Sequence, residues 1–520
     1  MLRLEMLKML DEKKEWDVII IGGGATGLGA AVDASSRGYK TLLLEQYDFA
    51  KGTSSRSTKL VHGGVRYLAQ GNIKLVLEAL KERGLLLQNA PHLTSNQSFV
   101  LPSYKWWEKW YYGIGLKLYD IMSGKLSLGK TSMLSRKKTM ELLPAADRKG
   151  LSGGVLYHDG QFDDSRLAIN LAQTAAEQGA CVLNYFDVFD LQKENKKITG
   201  VLAEDLLSRK EYELRSAVVI NATGVFTDDI LQMDDDQQHH IVAPSQGIHV
   251  VIDKKYFPGD NAMMIPKTDD GRVLFAVPWH GKVIVGTTDT PVAEVTAEPM
   301  AQEAEIEFIM KHLNRYLNTG ITRPNIRSVF AGLRPLVKVS GQKNTALTPR
   351  DHTIIVSASG LVTITGGKWT TYRKMAKDAV DNAVFVGRLP RKDCITQSLH
   401  IHGWCEVTNP EDHLHFYGAD AVSIQKIWQE NPEWKKKIHP DFPYTWGELI
   451  WAIRNEMAMT VEDLLARRIR LLFLDARAAI EVAPAVAHMM ASEMKKDKDW
   501  EISQTEEFKA LARDYLPDPR

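Results

Sequence analysis

Residues Asp17 to Glu45 read DVIIIGGGATGLGAAVDASSRGYKTLLLE. Asp17–Ile21 is a short, continuously apolar, β-branched run, the pattern of a strand buried on both faces of a parallel sheet. It runs into Gly22-Gly-Gly24-Ala-Thr-Gly27 and then into a helix-forming stretch, and Thr41–Leu44 forms a second strand that ends at Glu45. A G-x-G-x-x-G turn between a strand and a helix, with an acid about twenty residues on, predicts a dinucleotide site. Gly22 permits the tight turn, Gly24 lets the backbone approach a pyrophosphate, and Gly27 lets the helix pack on the strand. The helix N-terminus receives the diphosphate, and Glu45 takes a ribose hydroxyl, which disfavours a 2′-phosphate.

Two later segments extend this reading toward FAD. Ala217–Ile220 is a return strand followed by Asn221-Ala222-Thr-Gly224, and Thr353–Thr365 ends in Gly366-Gly367-Lys368 before a helix start at Trp369-Thr370. Three strand–glycine elements then converge on one extended cofactor, and the second helix end supplies positive potential at its far end. The expected fold class is α/β, with a Rossmann-like FAD-binding domain, an antiparallel substrate domain and a C-terminal helical domain. The FAD domain is discontinuous, over 1–95, 150–240 and 345–388. Residues 241–344 form the substrate domain, with strands at Ile248–Ile252, Arg272–Val277 and Lys282–Val285 and turns at Asp270–Gly271 and His280–Gly281. Residues 389–520 are mostly helical, with a capping-box start at Thr460-Val-Glu-Asp463.

The 520 residues are 44% apolar and 25% charged, ordinary values for a globular protein. Lys+Arg and Asp+Glu are both 65, so nothing points to nucleic acid as a partner. Cys181, Cys394 and Cys405 lie in no metal spacing, which predicts no metal site, no disulfide framework and a reducing compartment. The N-terminus lacks the apolar run of a signal peptide, and no stretch is apolar enough to span a membrane.

TSSRSTKLVHGGVRYL (53–68), VGTTDT (285–290), FAGLRPL (330–336), GGKWTTYRK (366–374) and TVEDLLARRIRLLFLDARAA (460–479), with the glycine motifs, together resemble the FAD-dependent, respiratory glycerol-3-phosphate dehydrogenases over nearly the whole chain. The resemblance implies oxidation of sn-glycerol 3-phosphate to dihydroxyacetone phosphate, electron transfer to a quinone, and peripheral association with the inner face of the cytoplasmic membrane from the cytoplasm. A homodimer is a further expectation. Arg334 and Arg66 match substrate-side positions, where a planar fork suits a phosphate. His249 matches the active-site histidine and is the expected base, with His62 as rival. Lys368 is expected at the phosphate or the developing alkoxide, and Tyr67 as a hydrogen-bond donor to substrate. The expected cofactor contacts are Gly22, Gly24, Gly27, Glu45, Thr53, Ser54, Ser55, Thr58, Lys59, Ala222, Gly224, Asp289, Gly367, Trp369 and Thr370. Competing readings are an oxidase that makes hydrogen peroxide, an amine or amino-acid oxidase whose Arg334 binds a carboxylate, and a flavin-binding sensor without turnover.

Residues 96–149 form an insertion. In it Trp107, Tyr111, Ile114, Leu118 and Ile121 recur at helical spacing, flanked by Lys105, Lys109 and Lys117. Such a stripe suits either a membrane interface or a helix packed on the core.

Overall fold

A computed structural model describes residues 1–65, 68, 71–237, 240–338, 352–406 and 412–518. Arg66 and Tyr67 lie outside the described residues.

The first sheet is built on the quoted stretch. Glu15–Ile21 lies between Thr41–Glu45 and Lys210–Asn221, parallel to both, with Cys181–Asn184 beyond the former and Val362–Gly366 beyond the latter. Val18, Ile19 and Ile20 are fully buried, each contributing roughly 1.5–3 kcal/mol of apolar burial. Ala25–Ser36 packs on this sheet between Asp164–Glu177 and Tyr372–Val386. Its small residues allow the close approach, since a Cβ at Gly29 would meet the Tyr372 ring at 2.9 Å. An antiparallel meander, Phe186–Glu194 and Lys197–Asp205, extends from Lys210–Asn221.

The second sheet centres on Val242–Asp253, paired antiparallel with Ile326–Val337 on one side and Lys282–Gly286 on the other. Leu274–Trp279 and Ala262–Ile265 follow. The expected turns are present: Gly271, His280 and Gly281 all take positive φ. The sheet is wider than the expected 241–344. Ala262–Ile265 pairs in parallel with Thr94–Ser103, which pairs with Gly153–Phe162, itself bonded to Leu60–Val61 and Ser132–Ser135. Segments assigned to the FAD domain and to the insertion therefore belong to this sheet.

The C-terminal region is helical, with Ala421–Glu430, Trp446–Asn455, Ala476–Met494 and Lys498–Arg513 as its long elements. Thr460 and Asp463 form the expected reciprocal cap: Asp463 N–H donates to Thr460 Oγ1, and the Asp463 carboxylate accepts from the Thr460 N–H. Phe473 and its neighbours share a core with Val251, Trp279, Ile284 and Phe330, so this region backs the second sheet.

Candidate active site

Two cavities, of about 290 and 330 Å³, abut at shared walls formed by Thr53, Pro335 and Gly366–Trp369. The smaller is lined by Gly22, Gly24, Ala25, Thr26, Glu45, Thr53, Ser54, Ala222 and Gly224. Gly22 has φ +109°, and a Cβ there would meet the Ala222 carbonyl oxygen at 2.7 Å. A Cβ at Gly27 would run into the Gly22 carbonyl, so Gly27 packs behind the turn and does not line the cavity. A Cβ at Gly24 would meet only Ser54 Oγ, at 3.1 Å, and one at Gly52 or Gly224 would meet nothing. That open space beside a helix N-terminus is the cradle a pyrophosphate needs, and the two abutting cavities give an extended dinucleotide its length. The residues present fit FAD. Glu45 accepts from Gly23 N at 2.5 Å and Tyr47 N at 2.9 Å. Burial pushes its carboxyl above the usual range, against those two bonds.

The larger cavity gathers Thr58, His62, His249, Asp289, Arg334, Lys368 and Thr370. His249 stands on the central strand of the second sheet. Its Nε2 lies 2.9 Å from Thr58 Oγ1, its ring stacks on Phe330 at 4.9 Å, and its Nδ1 is buried with no partner among the described residues. Gly286 is opposite, where any Cβ would collide with the imidazole. Burial, then the Lys59 and Arg334 charges, hold His249 well below the usual histidine range, so it is neutral at pH 7. Arg334, on the facing strand, donates to Thr288 O at 2.9 Å, Thr287 Oγ1 at 3.2 Å, and Gln246 O and Asp289 Oδ1 at 3.3 Å. His62 and Thr370 are joined through the His62 N–H and carbonyl.

Besides Gly27, three expected cofactor contacts are placed otherwise. Ser55 and Lys59 line neither cavity. Lys59 has φ +62° and turns its fully buried ammonium to Asp164 Oδ2 at 2.6 Å and Ser55 O at 2.7 Å. Burial and the nearby Arg470 bring its pKa down to about 7, against the pull of Asp164. Asp289 is bonded to Arg334 and to the Ser245 hydroxyl, so it fixes the arginine. Trp369 lines both cavities and ties its indole N–H to Ser54 O at 2.8 Å.

The sequence reading missed Asp164, Arg470 and Arg272. Asp164 opens a helix and looks like an ordinary N-terminal acid. Arg470 sits in an apolar run. Arg272 lines the larger cavity with Nη1 buried and no partner for it among the described residues. No cluster that could hold a metal occurs among the described residues.

Fold and paired cavities define the class of flavin-dependent oxidoreductases. Residues 17–373 match the FAD-dependent oxidoreductase family, and residues 362–501 match the C-terminal domain of α-glycerophosphate oxidase. The chain is 40% identical to a mitochondrial glycerol-3-phosphate dehydrogenase of Arabidopsis thaliana, over 95% of this chain and 85% of that one. It is 38% identical to the human mitochondrial glycerol-3-phosphate dehydrogenase, over 99% and 75%. The Bacillus halodurans glycerol-3-phosphate dehydrogenase solved with FAD has a TM-score of 0.82 at 29% identity, over 100% and 99% of the two chains. The chain belongs to the FAD-dependent glycerol-3-phosphate dehydrogenase family.

Proposed function

We propose that this chain oxidises sn-glycerol 3-phosphate to dihydroxyacetone phosphate with FAD as its resident cofactor. The observation that carries the reading is one cavity holding neutral His249, Thr58 and Arg334 against the end of a dinucleotide cleft. FAD, held by the cofactor cleft, would supply the acceptor for the hydride of carbon 2 and the route by which the electron pair leaves. Arg334 turns its longer, weaker donors to the phosphate dianion. Arg66 and Tyr67 are assigned to the substrate by motif alone. The 2-hydroxyl proton passes to Thr58 Oγ1 as that hydroxyl gives its own proton to His249 Nε2, and the ring is uncharged beforehand because burial, then the Lys59 and Arg334 charges, disfavour the imidazolium. Lys368, in the shared wall of the two cavities, stabilises the developing alkoxide. His62 fixes the loop through Thr370. The cofactor cleft is assigned to Gly22, Gly24, Glu45, Thr53, Ser54, Ala222, Gly224, Gly367 and Trp369.

The chain works at a membrane surface from the cytoplasmic side and gives its electrons to a quinone. In support, helix Glu108–Ser123 turns its apolar stripe outward. Trp106, Trp107, Trp110, Tyr111, Ile114, Leu118 and Ile121 are between 44% and 78% exposed, and Ile73 and Leu77 on helix Ile73–Asn89 are also exposed. No helix among the described residues is long and apolar enough to cross a membrane. The discontinuous cofactor domain, the wider antiparallel substrate domain and the helical C-terminal domain form one working unit, and a homodimer belongs to the same reading.

The test is anaerobic mixing of the yellow holoprotein with glycerol 3-phosphate. Bleaching by that substrate, far faster than by glycerol or an amino acid, is expected; no bleaching overturns the reading. In air, quinone reduction outpaces peroxide formation, and the reverse would make the protein an oxidase.

A further inference from the structure

The Asp164 carboxylate meets both neighbours of Thr58 in the chain. Oδ2 accepts from Ser57 N at 3.1 Å, Ser57 Oγ at 2.7 Å and Lys59 Nζ at 2.6 Å. Oδ1 accepts from Arg470 Nη2 at 3.1 Å and Ser165 N at 2.9 Å. Residues 57 and 59 are thus fastened to one acid, and Thr58 between them is presented to His249 Nε2 at 2.9 Å. Asp164 and the Lys59 side chain are fully buried, so the arrangement has no solvent to relax into.

The fixture extends into the C-terminal region. Arg470 reaches it from a left-handed backbone position, φ +62°, and donates to Ser55 O at 2.8 Å and Ala466 O at 3.0 Å as well as to the Ser165 hydroxyl. Phe473, one turn on, packs on Phe330 at 4.9 Å, and Phe330 is the ring on which His249 stacks. Lys59 lies 5.3 Å from the Phe330 ring and 5.4 Å from the Phe473 ring. Both partners of His249, the Thr58 hydroxyl and the Phe330 face, are therefore backed by residues 470–473.

We propose that Asp164 is a positioning residue that holds Thr58 against His249, and that Arg470 of the C-terminal region holds Asp164 in turn. This rests on the reading of His249 as the base. Asp164 touches neither cavity, so its effect falls on proton removal and not on substrate binding. Misplacing a catalytic group by about 1 Å costs on the order of 10²-fold in rate.

The experiment measures anaerobic flavin reduction in the holoenzyme across glycerol 3-phosphate concentrations. The variants are Ser57→Ala, Asp164→Asn and Arg470→Lys, each alone and with Thr58→Val. Asp164→Asn lowers the limiting rate about 10- to 100-fold, with the half-saturating concentration nearly unchanged. With Thr58→Val already present, the same change adds less than about twofold, because contacts acting through one group are non-additive. Ser57→Ala removes one hydroxyl, so it keeps the wild-type flavin content and melting temperature and carries the test if Asp164→Asn does not fold. It is expected to slow the limiting rate severalfold. Additive losses on Thr58→Val, or weaker substrate binding at an unchanged limiting rate, overturn the proposal. A slow His249→Asn beside wild-type rates in Ser57→Ala and Asp164→Asn overturns it alone. A wild-type rate in His249→Asn overturns the base assignment and this proposal with it.

Discussion

The grip of Arg334 on phosphate is the most direct quantity to measure. Simple removal is a poor perturbation, because the Asp289 side chain is only 4% exposed and loses the Arg334 cation. Breaking one side of such a buried pair costs about 3–5 kcal/mol through the stranded charge alone. The informative comparison is Arg334→Met in an Asp289→Asn background against Asp289→Asn by itself. Among the described residues Arg334 donates to Thr288 O at 2.9 Å and makes three longer bonds at 3.2–3.3 Å. The long ones are the donors a phosphate displaces, so exchange costs little. A charge-assisted contact then contributes about 1.5–3 kcal/mol, or roughly 10- to 150-fold. Stopped-flow reduction with glycerol 3-phosphate and with glycerol gives kcat/KM for each. The phosphate advantage should fall by that factor while the glycerol value moves little. Arg334→Lys should recover only part, because an ammonium cannot span Thr287, Thr288 and Gln246 while also reaching the substrate. A substrate ratio within twofold of the background variant refutes the assignment and turns attention to Arg272 in the same cavity.

Gly24→Leu should keep the apoprotein folded and lose FAD, since its Cβ meets only Ser54 Oγ, whereas Gly27→Ala should lower the apoprotein melting temperature by colliding with the Gly22 carbonyl; equal effects of the two on melting would contradict the assigned roles. Changing Trp106, Trp107 and Trp110 to Ser should leave the melting temperature within a few degrees and reduce co-sedimentation with anionic liposomes, and undiminished co-sedimentation would remove the membrane face. His402, bonded to Asp420 at 2.7 Å and Glu177 at 2.5 Å, has its pKa raised to about 9 by those carboxylates against burial. A raised folded pKa stabilises fully below the unfolded value near 6.5 and ceases to as pH climbs through 9; the rise corresponds to about 3 kcal/mol at most, less for the half-exposed Glu177. Urea unfolding should therefore separate wild type from His402→Gln at pH 6 and not at pH 10, and a gap independent of pH would contradict this. His249 has the opposite sign: its depressed folded pKa costs stability as pH falls below 6.5, so His249→Gln should flatten the acid limb of the melting curve, and an unchanged limb would show the imidazole to be solvated.

The parts of this molecule legible in the sequence are those whose cause is local. A turn that must admit a positive φ at Gly22, with Gly27 against its carbonyl, leaves a glycine signature that needs no knowledge of the rest of the chain. The hairpin at His280–Gly281 and the cap at Thr460–Asp463 are local in the same way. What was not legible depends on partners far along the chain. Lys59 belongs to a loop rich in hydroxyls and cations, and its composition suits an anion cradle. Its direction is set by Asp164, 105 residues away, and by three aromatic rings from three other segments. The width of the second sheet rests on one parallel contact between Thr94–Ser103 and Ala262–Ile265, which no periodicity announces. The stripe from Trp107 to Ile121 has the same pattern whether it faces a core or a bilayer, and only its exposure distinguishes them. The C-terminal TVEDLLARRIRLLFLD segment shows the same limit inside the core. Its leucines follow a helical spacing, yet Arg467, Arg468 and Arg470 are buried as deeply as they are. Buried arginines require buried acids, and here these include Asp48, Asp163 and Asp164 on the cofactor side beside Glu456 and Asp463 of the C-terminal region itself. A charge that costs several kcal/mol to bury unpaired thus ties the C-terminal region to the loop that presents Thr58.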